Sequence, residues 1–426
     1  MPAGERRQSE FVSVEAGRHG PVDESSMQGH LTQLVEELVA RHALRSEPVR
    51  RAFLAVPRHS FVPGTPVNEA YRADRAIPTH FDERGVPVSS SSAPAIMAIM
   101  LELLDVAPGQ RVLEIGAGTG YNAALLGHLV GDAGTVTSLD IDEEVAREAS
   151  DHLAEVGADD VEVHCKDGWW GDSRGAPFDR IIATAECWDI SPHWIGQLNE
   201  GGVLVLPLAL GPGLTMAVAF EKVGPLLTSR SMAYCGFMPL RGPHAGPESR
   251  TVVSRWEETT PRGRESSWVA AFPDAARERC DVLRALLAGG VTRTVPTPPP
   301  VAGWNVRLVL EEPDPIHLFE IGALPPRNAV GLFDAAQGSL ALVEGGSITS
   351  FGADSCLERV AARITTGEPF DLVAQRITAT PKQLSHYKEG KVGKEGKEGV
   401  VLLSRPAFDL AIEGLNDDGA DRMVEE

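Results

Sequence analysis

Three glycines at alternate positions, Gly116, Gly118 and Gly120, follow directly on Val112, Leu113 and Ile115, with Glu114 set among those apolar residues. Glycine has no Cβ, so a ligand can lie against bare backbone at such a turn. The spacing is G-x-G-x-G. It has neither the longer gap of a dinucleotide site nor the Lys-Ser/Thr ending of a phosphate loop. A second carboxylate, Asp140, closes the run TVTSLD one helix further on. An acidic residue about 20 positions past a glycine turn suits a ribose diol. Asp140 also suits a helix N-cap, ahead of Asp142, Glu143 and Glu144, and the two roles are compatible. Upstream stands a run of hydroxyls, Ser89, Ser90, Ser91 and Ser92, just before Ala93 and Pro94. Such a run can donate to a bound carboxylate, or it can be a polar loop that caps the next helix.

These residues need a frame that brings them to one edge. Apolar runs at 111–115, 135–140, 161–165, 178–184 and 202–206 read as strands, the last after the turn Asn199-Glu200-Gly201. Helical spacing at 95–104 and 122–130 separates the first of them. Strands alternating with helices predict a parallel sheet covered on both faces, and therefore an α/β fold.

At 426 residues and 42% hydrophobic content, the chain can bury more than one core. A formal net charge of −21 argues against a nucleic-acid backbone as partner. The five cysteines are widely spaced and odd in number, with no C-x-x-C pair. That pattern suggests neither a zinc site nor a disulfide framework, and it fits a reducing, cytoplasmic setting. No apolar run approaches a membrane span, and the start MPAGERRQSE has no signal-peptide core.

The motif E-x-G-x-G-x-G after a strand resembles the first motif of S-adenosylmethionine methyltransferases. Residues 52–63, AFLAVPRHSFVP, and 71–78, YRADRAIP, resemble the opening of the protein L-isoaspartate O-methyltransferases. That family's T-I-S-x-P pattern corresponds to Ser90-Ser91-Ser92-Ala93-Pro94, with Ser92 on its serine and Ser90 on its threonine. Asp167-Gly168, APFDRII at 176–182 and QLNEGG at 197–202 continue the likeness, which covers roughly residues 33–240.

The resemblance implies a Rossmann-like, doubly wound methyltransferase sheet with S-adenosylmethionine as cofactor and no metal. It places Glu114, Gly116, Ala117, Gly118, Gly120, Tyr121, Asp140, Ile141, Asp167, Gly168 and Thr184 at the cofactor. Within that set Asp167 would meet the adenine amino group and Gly168 would allow close approach. Ser92, with Ser91 and Ser90, falls at the acceptor. An acceptor carboxylate has a free pKa near 3.9 and is ionised at neutral pH, so the chemistry requires no general base. Another oxygen or nitrogen acceptor would want one, such as His59 or His80.

The chain departs from a repair enzyme of this type. T-I-S has become S-S-S, Glu186 and Trp188 enlarge and acidify the lip after the fourth strand, and about 185 residues follow Arg241. We expect a flexible tail at 1–27, the catalytic domain at 28–241 and a C-terminal α+β domain at 242–426. In the last, 274–287 and 356–365 read as helices, and 304–310 as a strand. Residues 330–334, 339–343 and 347–351 read as a meander, and 400–403 as a final strand. TVPTPPP at 294–300 reads as a stiff linker or edge segment, and 388–399 as a low-complexity loop. A methyltransferase domain so extended resembles family members encoded with ribosomally made modified peptides (lanthipeptides and graspetides). There an aspartate of a constrained precursor is methylated and the ester goes on to succinimide or isoaspartate. The alternatives are an isoaspartyl-protein repair enzyme with an accessory domain, and a SAM-binding scaffold without catalysis.

Overall fold

The structure, a computed structural model, describes residues 24–83, 87–158, 160–246, 250–254, 267–273, 277–320, 328–366, 369–382 and 400–413. Among them the strands form a ten-stranded sheet, a seven-stranded sheet and a two-stranded hairpin. This is the expected Rossmann-like α/β sheet with an additional α+β unit beside it.

The described chain opens with helices α1 (Glu24–Ala40), α2 (Glu47–Ala55) and α3 (Val67–Ala70). Residues 24–27, expected in the tail, belong to α1, which is held because Leu31, Leu34, Val35 and Leu38 are buried. The rest of the expected tail lies outside the described residues. The hairpin β1 (Ile77–Phe81) and β2 (Pro87–Ser91) follows, then α4 (Pro94–Leu104). The chain continues through β3 (Arg111–Ile115), α5 (Tyr121–Val130), β4 (Thr135–Asp140) and α6 (Glu143–Glu155). Next come β5 (Val161–Cys165), β6 (Phe178–Ala183), α7 (Pro192–Gln197) and β7 (Leu198–Gly211). In space these strands run parallel in the order β5, β4, β3, β6, β7. The strand order reverses between β3 and β6. Open α/β sheets bind ligands outside the carboxyl ends of strands at such a switch point. β8 (Leu214–Val223) and β9 (Leu226–Cys235) extend the sheet antiparallel.

The second unit contains β10 (Arg250–Ser254), β11 (Ser267–Ala271), α8 (Arg277–Ala288), β12 (Arg293–Pro296) and α9 (Trp304–Glu311). It goes on with β13 (Pro315–Glu320), β14 (Asn328–Asp334), β15 (Ser339–Glu344), β16 (Ser347–Gly352) and α10 (Ser355–Thr365). Its strands lie antiparallel in the order β10, β11, β13, β14, β15, β16, β12, which puts part of the TVPTPPP segment at an edge. Pleating sends alternate residues to opposite faces. Leu340 and Leu342 therefore meet Leu283 and Leu287 of α8, while Ala341 and Ile348 meet Cys356 and Val360 of α10.

Residues 304–310 correct an expectation. The alternation of WNVRLVL reads as a strand, yet the segment is α9. Val306 and Val309 pack in the core of the ten-stranded sheet, and Leu308 packs in the core under α10. Residues three apart share a face in a helix but not in a strand, so wedging between two sheets selects the helix. The i,i+4 pair Arg307–Glu311, at 2.8 Å, adds to it.

The chain then returns to the first sheet. β17 (Arg376–Pro381) pairs with β9; β19 (Phe408–Glu413) pairs with β17, and β18 (Val400–Ser404) with β19. Chain order alone groups these strands with the extension. Their Ile377, Ala379, Leu410 and Ile412 instead share a core with Phe220 and Leu227. The low-complexity segment 388–399 lies outside the described residues. Among the described residues no helix is long and apolar enough to cross a membrane.

Candidate active site

A cavity of about 1180 Å³ opens at the switch point. One part of its wall is the glycine turn after β3, with Gly116, Ala117, Gly118, Thr119 and Tyr121. Gly116 has φ +101°, and a Cβ there would lie 2.5 Å from Thr184 Oγ. Thr184, at the end of β6, donates from that hydroxyl to the Gly116 carbonyl at 2.6 Å and so braces the turn. A Cβ at Gly118 would come within 3.2 Å of the Ser90 carbonyl oxygen, so the turn runs close under the serine edge.

Asp140, at the end of β4, faces the same cavity and is only 9% exposed. Gly118 N–H donates to its Oδ2 and Asp142 N–H to its Oδ1, both at 3.1 Å. Burial raises its pKa, and these two bonds with nearby Arg241 oppose the rise. The helix cap of α6 is Asp142, which accepts from Glu144 and Val145 N–H, so the capping role falls two residues after Asp140. A carboxylate carries about four lone-pair sites, so Asp140 keeps capacity for a diol. Ile141 is 37% exposed beside it and presents an apolar surface to the cavity. Bare backbone, a carboxylate with spare lone pairs and an apolar plate fit a sulfonium nucleoside.

The serine edge is strand β2 and the residue after it. Ser89, Ser90, Ser91 and Ser92 all line the cavity. Ser89 and Ser91 are buried, while Ser90 and Ser92 are half-buried, as the alternation of a strand requires. Behind this edge lies Arg58, fully buried. Its guanidinium donates to the carbonyls of Ala70, Arg75, Ser91 and Ser92, the last at 2.9 Å, and sits 5.9 Å from the Tyr121 ring centre. Burial lowers its pKa to about 10, which leaves it charged at neutral pH.

Three residues expected at the cofactor do not line the cavity. Glu114 points into the sheet, where it accepts from Asn122 Nδ2 at 2.8 Å and Ser138 Oγ at 2.5 Å. It ties β3 to α5 and β4, and burial pushes its pKa up to about 7. Gly120 faces α6, where a Cβ would lie 3.0 Å from the Ala149 carbonyl oxygen; it serves helix packing. Asp167 accepts from Trp169 N–H at 3.0 Å and caps the short turn after β5. Gly168 does reach the cavity.

The two histidines considered as bases are turned to other work. His59 Nδ1 lies 3.0 Å from Tyr71 Oη, and His80 Nε2 lies 3.5 Å from Glu148. Neither lines the cavity. His80, Glu144 and Glu148 together hold their ligand atoms within 4.8 Å of one another, on the contact between the hairpin and α6. Glu186 lines the cavity and accepts from Thr215 Oγ at 2.6 Å. Trp188 does not line it; its ring stacks 3.5 Å from the Arg405 guanidinium of the returning segment.

Sequence reasoning did not single out several wall residues. Arg241 is one of them, and Arg58, which stands behind the wall, lies in the stretch AFLAVPRHSFVP at 52–63. Val269, Arg284 and His317 come from the second unit and complete the cavity wall. No local pattern points to them.

The profile described as protein-L-isoaspartate(D-aspartate) O-methyltransferase matches residues 30–245. A protein-L-isoaspartate O-methyltransferase of Pyrobaculum neutrophilum is 40% identical over 210 residues, which is 49% of this chain and 98% of that protein. A solved structure of a protein-L-isoaspartate O-methyltransferase aligns over 90% of this chain and 100% of its own, at 21% identity and TM-score 0.49. A second, from Plasmodium falciparum in complex with S-adenosyl-L-homocysteine, covers 50% of this chain and 98% of its own, at 18% identity and TM-score 0.43. With a glycine turn, a buried carboxylate and a serine edge on one cavity, and with that match over half its length, the chain belongs to the protein-L-isoaspartate(D-aspartate) O-methyltransferase family of S-adenosylmethionine-dependent carboxyl methyltransferases.

Proposed function

We propose that this enzyme methylates the side-chain carboxylate of an aspartate or isoaspartate in a constrained, ribosomally made peptide. One observation carries the reading: the glycine turn, the serine edge and residues of the C-terminal unit line a single cavity. A compact peptide needs more recognition surface than one exposed isoaspartate, and the second unit supplies a wall for it.

Gly116, Ala117, Gly118, Asp140, Ile141 and Gly168 would hold the cofactor's nucleoside. S-adenosylmethionine, when bound, supplies a methyl carbon activated by a sulfonium. The hydroxyls of Ser90 and Ser92 donate to the acceptor carboxylate, which is already ionised at neutral pH. Neutral donors orient it without the ground-state grip of a guanidinium. The chain's share is alignment and the exclusion of water. In the methyl ester, methanol is a leaving group; a neighbouring amide nitrogen attacks the carbonyl, methanol departs and a succinimide forms. Hydrolysis of that ring gives isoaspartate or aspartate.

The test is methyl transfer from labelled S-adenosylmethionine to a linear precursor and to its cyclised form. Strong preference for the cyclised peptide supports the reading. Repair of isoaspartyl proteins is the second reading, favoured by the 98% coverage of a relative that carries that name. Equal methylation of unrelated isoaspartyl peptides would assign the chain to repair.

A further inference from the structure

The segment after β9, residues 236–246, runs back across the carboxyl ends of three strands. Gly236 to Gly242 and Ala245 line the cavity. Beyond β6 it pairs with the backbone of Glu186, whose N–H donates to the Met238 carbonyl while Leu240 N–H donates to the Glu186 carbonyl, both at 2.8 Å. Beyond β4 it lies on Ile141, where a Cβ at Gly242 would come within 2.9 Å of Cδ1. Beyond β5 the His244 ring stacks on Trp169, with ring centres 4.3 Å apart and an interplanar angle of 9°. The segment is a strap fastened at all three strand ends.

One side chain of the strap reaches the carboxylate expected at the ribose. Arg241 Nη2 lies 3.5 Å from Asp140 Oδ1, and Arg241 Nη1 donates to Asp142 Oδ2 at 3.1 Å. Asp140 is bound from the glycine turn by Gly118 N–H at 3.1 Å. The carboxylate is thus held between turn and strap. The Asp140 side chain is 10% exposed and that of Arg241 35%, so the pair is screened less than one on an open surface. A carboxyl group accepts hydrogen bonds from a diol best while ionised. Burial pushes the pKa of Asp140 up and nearby Asp142 adds to the rise, while two N–H donors and Arg241 oppose it. Glu114, in the sheet behind, is a further acidic group that feels Asp140.

We propose that Arg241 is a positioning residue of the cofactor site, fixing Asp140 between the glycine turn and the strap so that it accepts hydrogen bonds from the ribose diol. The inference rests on the reading that Asp140 meets the cofactor's nucleoside, and it adds the strap to that site. A carboxylate already held in place loses less freedom when the nucleoside arrives. Without the guanidinium its pKa climbs further, so the affinity lost grows as the pH falls.

The experiment is calorimetric titration of the full chain with S-adenosylhomocysteine at several pH values between about 5 and 8. Arg241→Gln is expected to bind about 5-fold more weakly than the wild type near the upper end, and the gap widens toward the lower end. Arg241→Lys, which keeps the charge, recovers most of the affinity. In an Asp140→Asn background, Arg241→Gln costs less than about 2-fold and the pH-dependent gap disappears, because the two side chains act as one unit. Glu114 is present in every variant, so its titration cancels from the comparison. A matching thermal melt confirms that each variant is folded. Wild-type affinity in Arg241→Gln at every pH, or an equal loss with and without Asp140, overturns the proposal. So does a loss whose size does not change with pH. Asp140→Asn alone tests the underlying reading. Wild-type affinity there removes the nucleoside from Asp140 and overturns both, whereas a loss of about 10-fold with Arg241→Gln silent overturns only the role of Arg241.

Discussion

Arg58 donates from a fully buried guanidinium to the carbonyl oxygen of Ser92 at 2.9 Å. The same group also reaches the carbonyls of Ser91, Arg75 and Ala70. A single cation thus fixes the backbone of the serine edge from behind, and the hydroxyls of Ser90 and Ser92 are left for the cavity side.

Replacing Arg58 strands those carbonyls in the core. Arg58→Ala is expected to cost about 3 kcal/mol or more of stability, and Arg58→Lys a little less, since an ammonium has three donors and no fork. Urea unfolding of the full chain measures it. A loss under about 1 kcal/mol for Arg58→Ala would mean that water or neighbours satisfy the carbonyls.

Ser92→Ala is expected to bind S-adenosylmethionine as the wild type does and to lose about 100-fold in methyl transfer. Ser90→Ala follows in the same direction, and Ser91→Ala, whose hydroxyl lies 3.5 Å from Arg58, acts mainly on stability. Calorimetry with steady-state rates separates these effects. Unchanged turnover in Ser92→Ala would remove that hydroxyl from the acceptor.

Gly116→Ala places a methyl group against Thr184 Oγ at a backbone φ of +101°, which side chains rarely adopt. The expected loss of cofactor affinity is about 100-fold or more. Asp140→Asn keeps one carbonyl-type acceptor and removes the charge, for a loss of about 10-fold. Titration with S-adenosylhomocysteine reads both. Wild-type affinity in either variant would place the nucleoside elsewhere.

Glu114 gives a pH signature. Burial raises its pKa from 4.5 to about 7, against the opposing bonds from Ser138 and Asn122. The folded carboxyl therefore holds its proton more tightly than the unfolded one. Its contribution to stability is full below about pH 4.5 and is lost as the pH rises through about 7. The full amount is about 3 kcal/mol. Glu114→Gln keeps the shape and removes the titration. Its stability is expected to vary less between about pH 5 and pH 7.5, and to equal or exceed the wild type at the upper end. Parallel pH profiles for the two proteins would show that Glu114 is not the titrating group.

The parallel sheet and the position of its ligand edge were legible because strand, glycine turn and helix follow one another within a few dozen residues. Gly116, Gly118 and Asp140 could be located by their spacing, and Ser92 by the likeness of its motif. Glu114 shared that spacing, but which way its side chain points depends on Asn122 and Ser138, from a helix and a neighbouring strand. Gly120 looked like part of the ligand turn, yet the reason for its missing Cβ is Ala149 on α6.

Local order thus determined the fold class, the glycine turn and the hydroxyl edge, since backbone propensity and burial period act over short stretches of chain. Only the tertiary structure decided that residues 304–311 form a helix, that 376–381 and 400–413 return to the first sheet, and that Arg284 and His317 reach the cavity. Those outcomes depend on which apolar faces meet across distances of up to hundreds of residues. Such pairing is set by burial in a shared core and leaves no periodic trace in the segments it joins.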